Sequence, residues 1–201
     1  HSSHRRQRQM CIRDRSTGNV NVVATAEGKS GSATVTVGLG SITLSPSSPT
    51  LSIGDTLTFS AIYIASTGDT VLNASYNWSS SDSMVFSVSD IGTVNALSTG
   101  SGIVTAIHNS GAIGQTTVNV GVGTVELDPT SATITVCDSL VINAAYTNAA
   151  GSFVSDAVFS WNSSDTSVLT IDQTGKLFGK SSGNASVTAT YASGASALAQ
   201  I

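Results

Sequence analysis

The sequence repeats itself. Displaced by 83 residues and laid on itself without a gap, it brings Trp78 onto Trp161, Pro46 onto Pro129, Gly92 onto Gly175 and Asp55 onto Asp138. Leu44, Leu57, Ala61 and Tyr63 fall on Leu127, Leu140, Ala144 and Tyr146 in the same register, and Ser80-Ser81-Asp82 falls on Ser163-Ser164-Asp165. A repeat of this length is one small domain, so the chain solves one folding problem more than once and strings the solutions together. Upstream, Val35, Val37, Gly38 and Gly40 match Val118, Val120, Gly121 and Gly123, which makes residues 17–40 the tail hairpin of a further copy. The units are then 17–40, 41–122 and 123–201. Ile201 corresponds to Val118, so the last strand of the third is expected to stop short.

Within a unit the period is two. Leu57, Phe59, Ala61 and Tyr63 alternate with Thr56, Thr58, Ser60 and Ile62, and Leu140, Ile142, Ala144 and Tyr146 repeat the pattern. Ala74, Tyr76 and Trp78 alternate with Ser75 and Asn77, and the second copy has Ala157, Phe159 and Trp161 at the same positions. Such alternation makes a strand with one face on a core and one in water. Between the runs lie turn signals: Thr67-Gly68-Asp69, Thr99-Gly100-Ser101-Gly102 and Thr174-Gly175. Short strands at this spacing predict an all-β chain of two-sheet sandwiches. The expected core is Trp78, Trp161, Tyr76, Phe159, Leu57, Leu140, Tyr63 and Tyr146. Both tryptophans recur on the inward register, which favours a core role over sugar stacking.

The motifs resemble the group 2 bacterial immunoglobulin-like domains. The first copy reads Leu44-Ser45-Pro46, Ile53-Gly54-Asp55, Trp78-Ser79-Ser80-Ser81-Asp82, Gly92 and Gly102 to Ala106. The second reads Leu127-Asp128-Pro129, Val136-Cys137-Asp138, Trp161-Asn162-Ser163-Ser164-Asp165, Gly175 and Gly183 to Ala189. Cys137 stands where that family usually has Gly, which leaves the geometry of that turn open. The resemblance implies tandem immunoglobulin-like β-sandwiches, each of two antiparallel sheets with Greek-key connections. It also implies parents of the adhesin or surface-layer kind, and is weak for any particular function.

Residues 1–16 read as a different polymer. They hold five of the eight basic residues, and Met10-Cys11-Ile12-Arg13-Asp14-Arg15 looks like the in-frame translation of a sequencing adaptor. The expectation is a disordered, non-native segment, with a genuine basic tail as the alternative. The remainder carries three lysines against eleven acidic residues. That balance speaks against binding nucleic acid or an anionic membrane surface, since both demand a basic face. No apolar run approaches a membrane span.

Catalysis has little to work with. His108 is the single histidine after residue 16, and Tyr191 takes its place in the next copy, so a structural role outweighs a general base. No HExxH, Walker A or GxGxxG pattern occurs. Cys137 is the single cysteine of the body and reads as a small turn or core residue rather than a reactive or intermolecular thiol. Asp55, Asp82, Asp138 and Asp165 recur. Each stands among Ser and Thr, so an aspartate bonding its own turn is favoured over a calcium ligand, with calcium kept as the alternative. Asn73, Asn77, Asn162 and Asn184 fit the glycan acceptor pattern, which Asn- and Ser-rich strand edges generate freely.

The expected role follows from repetition without a site. The linkers Gly38-Leu39-Gly40 and Gly121-Val122-Gly123 are short, which suits an extended rod, while their glycines leave room for bending. The chain is expected to be no enzyme and to need no cofactor. It reads as a structural spacer in a large extracellular or cell-surface protein that supports adhesion, with the neighbouring repeats as its partners. The alternatives are a module that itself binds a host protein or a glycan, and a decoration domain of a phage virion.

Overall fold

In the computed structural model, which describes residues 17–201, every regular element is a strand. Residues 1–16, read above as non-native, lie outside the described residues.

Residues 18–37 form one hairpin of β1 (Gly18–Ala26) and β2 (Lys29–Val37), paired from Gly18↔Val37 to Ala26↔Lys29. Every residue of both strands is exposed. One face holds Val20, Val22, Val35 and Val37; the other is a ladder in which Thr34 and Thr36 donate to the Asn21 and Asn19 side chains at 2.7 and 2.8 Å.

The first complete unit contains β3 (Ser41–Ser45), β4 (Thr50–Ser52), β5 (Thr56–Thr58), β6 (Ser60–Ile64), β7 (Thr70–Val71), β8 (Tyr76–Ser80), β9 (Phe86–Val88), β10 (Thr93–Ala96), β11 (Gly100–His108) and β12 (Ile113–Gly121). One layer is built from β5-β10-β9 and β3-β6-β7; the other is β4-β12-β11-β8. The expected single strand from Leu57 to Tyr63 keeps its alternation but changes partners halfway. β5 pairs with β10, β6 pairs with β3, and at the switch the Phe59 N–H donates to the Gly92 carbonyl at 2.9 Å. Strand β4 crosses to the far layer and runs parallel to β12 through Asn119–Gly121. Gly100 to Gly102, expected in a turn, instead open β11, because Gly100 and Gly102 pair with Val120 and Val118. The missing side chain at Gly102 makes room for the Phe86 ring, which a β-carbon there would meet at 2.8 Å.

Both layers feed one core. Leu44, Phe59, Phe86 and Val94 meet Val104, Ala106, Val118 and Val120. This is a two-layer sandwich, and burial on this scale is the main force holding it.

The second unit repeats the plan with β13 (Thr124–Asp128), β14 (Ser139–Val141), β15 (Asn143–Thr147), β16 (Phe153–Val154), β17 (Phe159–Ser163), β18 (Leu169–Ile171), β19 (Lys176–Gly179), β20 (Ser186–Tyr191) and β21 (Ser196–Gln200). The partner switch recurs, with Ile142 N–H on the Gly175 carbonyl at 2.9 Å. The parallel contact of β4 reduces here to one bridge, Ser131 to Gln200. Its core is centred on Tyr146, Ile142, Leu169, Leu177 and Val187.

Of the expected core residues, Tyr63, Tyr146 and Phe159 are buried. Leu57, Tyr76 and Trp78 in one unit, and Leu140 and Trp161 in the other, are half-buried and pack against the cluster. The tryptophans are not enclosed because β8 and β17 are edge strands of their sheets, so one side of each indole has no strand beside it.

Candidate functional site at the junction between units

Each linker is pinned at the carbonyl of its middle residue. The Leu39 carbonyl accepts from the Tyr63 hydroxyl and the Ser110 hydroxyl, both at 2.8 Å. The Val122 carbonyl accepts from Tyr146 at 2.8 Å and from Ser193 at 2.5 Å. The tyrosines come from β6 and β15; the serines come from the turns β11–β12 and β20–β21. Alternation places each tyrosine inward, and a buried phenol must find a partner for its hydroxyl. The linker carbonyl supplies one.

A second ring backs each tyrosine. His108 stacks on Tyr63 with centroids 3.9 Å apart, and Tyr191 stacks on Tyr146 at 3.8 Å. The Ser110 N–H donates to His108 Nδ1 at 3.2 Å, and the Ser110 hydroxyl lies 3.0 Å from the same nitrogen. The histidine is thus occupied in shaping the clamp.

The linker glycines are required by the same contact. Gly40 and Gly123 both have φ of +76°, a conformation that side chains disfavour. A β-carbon at Gly123 would lie 2.8 Å from the Tyr146 ring and would press on the Thr147 carbonyl; one at Gly40 would lie 2.7 Å from the Tyr63 ring. Gly40 and Gly123 thus have a packing reason of their own, apart from any bending the linkers allow. They are there because a tyrosine lies against the backbone.

At the second linker the clamp reaches across the junction. Ser52, at the end of β4 in the first unit, is 5% exposed. Its hydroxyl accepts the Ala149 N–H at 3.0 Å and lies 3.4 Å from the Tyr146 hydroxyl. Beside it a cleft of about 460 Å³ opens between the Ser52–Asp55 turn and Tyr146, Asn148 and Tyr191.

The recurring Trp-x-Ser-x-Asp segments serve a second contact. Trp78 covers Gly92, where a β-carbon would lie 2.7 Å from the indole, and Trp161 covers Gly175 at 3.0 Å. The aspartates that end the segments close their own turns: Asp82 accepts the Met84 N–H at 2.9 Å and Asp165 the Ser167 N–H at 2.8 Å.

The family model for the bacterial Ig-like domain (group 2) matches residues 39–120 and again 121–200. The chain belongs to that family. A curated relative, ice-binding protein 1 of Shewanella frigidimarina, is 31% identical over 157 residues, covering 76% of this chain. The chain spans 18% of that relative's length. Among solved structures, domains 4 and 5 of the S-layer protein SbsC are 14% identical, cover 80% of this chain and 94% of their own, and superpose with a TM-score of 0.40. A C-terminal fragment of intimin, solved with the intimin-binding domain of its translocated receptor, is 14% identical. It covers 80% of this chain and 62% of its own, with a TM-score of 0.33.

In these Ig-like units the remaining aspartate and cysteine candidates are turn residues, while Asn77 and Asn162 of the glycan pattern lie in β8 and β17. The Asp55 carboxylate accepts the Ser52 N–H at 2.8 Å, and Asp138 accepts the Ser139 N–H at 2.7 Å. Among the described residues no three His, Cys, Asp or Glu side chains come together. Cys137 is exposed and adopts φ of +69° where Gly54 has +90°. The turn survives the substitution. Asp138 N–H bonds the Thr135 carbonyl and Cys137 N–H the Gly179 carbonyl, matching Asp55 to Ser52 and Gly54 to Ala96. Asp172, which the sequence reading passed over, accepts the Thr174 hydroxyl and N–H at 2.6 and 2.8 Å and the Lys176 N–H at 3.1 Å. These bonds, the Thr174 hydroxyl first, hold its carboxyl below the ordinary aspartate range. Its Asp-x-Thr spacing just before Gly175 was the available signal.

Proposed function

We propose that these Ig-like units form a segment of a stalk: a structural spacer in a large cell-surface or secreted protein, holding an adhesive region away from its anchorage. The observation that carries this reading is the clamp on the linker carbonyl, made by the same residue positions at Leu39 and at Val122. Tandem domains that need only be tethered can use loose linkers; a spacer gains from linkers tied to the following sandwich. The occupied state of His108, stacked on Tyr63 and bonded by Ser110, supports a structural over a catalytic role. A scarcity of lysine and arginine in residues 17–201 also suits exposure to trypsin-like proteases.

Small-angle X-ray scattering on the full chain tests this. A stalk segment scatters as an elongated particle whose maximum dimension corresponds to units placed end to end. Two units folded side by side, or a distribution of widely bent forms, would reject the reading. Surface labelling of the parent protein on intact cells tests the location.

A further inference from the structure

The outer face of the β4-β12-β11-β8 sheet differs between the two units in a way the fold does not require. In the first unit this face carries Ile103, Ile107 and Ile113, which are 40%, 37% and 57% exposed. Ile107 and Ile113 are directly paired across β11 and β12. The matching positions of the second unit are Ser186, Thr190 and Ser196, on the same strands in the same register. A position that accepts serine in one copy and isoleucine in the other is not held apolar by the sandwich itself. Three isoleucines facing water on one sheet need another explanation.

The rest of the face is free of charge. No Asp, Glu, Lys or Arg occurs between Asp90 and Glu126, nor in β4 or β8. Thr105, Gln115 and Thr117 fill the space among the isoleucines, and Gln115 already spends a side-chain N–H on Thr105 at 3.1 Å.

We propose that this face is a self-association surface, and that its occupant is the same face of a second copy of this chain. Residues 17–201 are strongly acidic, so most pairs of surfaces on two copies repel one another. This sheet is a place where they meet without like charges. Its size suits the role. Nine-residue strands of about 3.3 Å per residue, laid about 4.8 Å apart, make a face of roughly 30 by 15–20 Å. Two such faces bury on the order of 1,000 Å², the lower end of specific interfaces, which corresponds to a weak, reversible dimer. A face paired with itself has two-fold symmetry, so association stops at two copies per face. In neighbouring stalks this would join rods laterally; the dimer does not depend on the stalk reading and is tested apart from it.

Sedimentation velocity of the full chain under reducing conditions, over a concentration series, decides it. The expected result is a reversible monomer–dimer equilibrium that strengthens with added salt, as repulsion between the acidic bodies is screened. Replacing Ile103→Ser, Ile107→Thr and Ile113→Ser together installs the residues the second unit folds with. It should raise the dissociation constant by about tenfold or more, with the thermal melt retained. Ile62→Lys, on the opposite sheet, should leave the dimer intact. A wild-type chain that stays monomeric up to about 1 mM overturns the proposal. So does a dimer that survives the triple substitution, or one lost equally to Ile62→Lys.

Discussion

The hydroxyl of Tyr146 donates to the carbonyl of Val122 across 2.8 Å, tying the core of the second sandwich to the linker that enters it. The tyrosine is 1% exposed, so this hydroxyl has no water to fall back on. Tyr146→Phe removes the donor but leaves Ser193 on the same carbonyl. The expected cost is about 0.5–1.5 kcal/mol. It should fall on the second unit, and urea denaturation monitored with probes in each unit would locate it. A loss shared equally by both units would contradict the local reading.

Gly123→Ala should cost more than Tyr146→Phe. It forces a side chain into φ of +76° and drives the new β-carbon against the Tyr146 ring and the Thr147 carbonyl. The conformational penalty alone is about 1–2 kcal/mol, and the collision adds to it. Gly151→Ala, with φ of +84° and open space around it, isolates the conformational part. The difference between the two melting temperatures reads the collision.

Cys137 occupies a left-handed turn that its counterpart gives to glycine. Cys137→Gly relieves that strain while loosening the unfolded chain, and a net gain of up to about 1 kcal/mol is expected. Cys137→Val, with a branched β-carbon, should destabilise by at least about 1 kcal/mol. Equal melting temperatures for the valine and glycine variants would show that the strain is not present.

His108 and Tyr191 hold the same place behind the clamp tyrosines. His108→Tyr should therefore be tolerated to within about 1 kcal/mol, whereas His108→Ala opens a gap behind Tyr63 and should cost about 1–3 kcal/mol. Thermal denaturation of the two variants makes the comparison. An alanine variant as stable as the tyrosine variant would remove the stacking from the account.

Asp165 and Asp172 are held below the ordinary aspartate range, chiefly by the Ser167 and Thr174 hydroxyls. A lowered folded value means that the unfolded chain binds protons first on acidification. Their contribution is full above the ordinary aspartate value, about 3.9, and is lost as pH falls below it through the lowered value. Asp172→Asn should flatten the acid limb of the stability–pH curve of the second unit by bringing its neutral plateau down toward the acid values, a small change because the turn is exposed. An acid limb identical to wild type would contradict this.

The inward register was legible because side-chain alternation is a local property: Leu57, Phe59, Ala61 and Tyr63 share a face whatever they pair with. The break at Phe59 was not legible. Both halves keep the same period, and only the Gly92 carbonyl, brought up from a distant turn, marks where the partner changes. The clamp was half legible. Tyr63 and Tyr146 stood out as repeated aromatics, but Ser110 and Ser193 are two among many serines in turns, and no local pattern marks them. The isoleucines of β11 and β12 stood on the polar register, where a single apolar residue is ordinary; their significance came from the sheet that sets them side by side.

By itself the sequence determined that this chain is a string of like units, that each unit is built of strands, and which side chains face inward. Those properties follow from periodicity and repetition, which need no folding to be read. Tertiary structure alone decided that a linker carbonyl is the meeting point of a tyrosine 24 residues away and a serine 71 residues away. It also decided that a tryptophan lies over one glycine and a tyrosine over another. Contacts between groups so far apart in the chain exist only once the two sheets have closed, because it is the closure of the core that brings the hydroxyls within reach of a backbone that would otherwise be bonded to water.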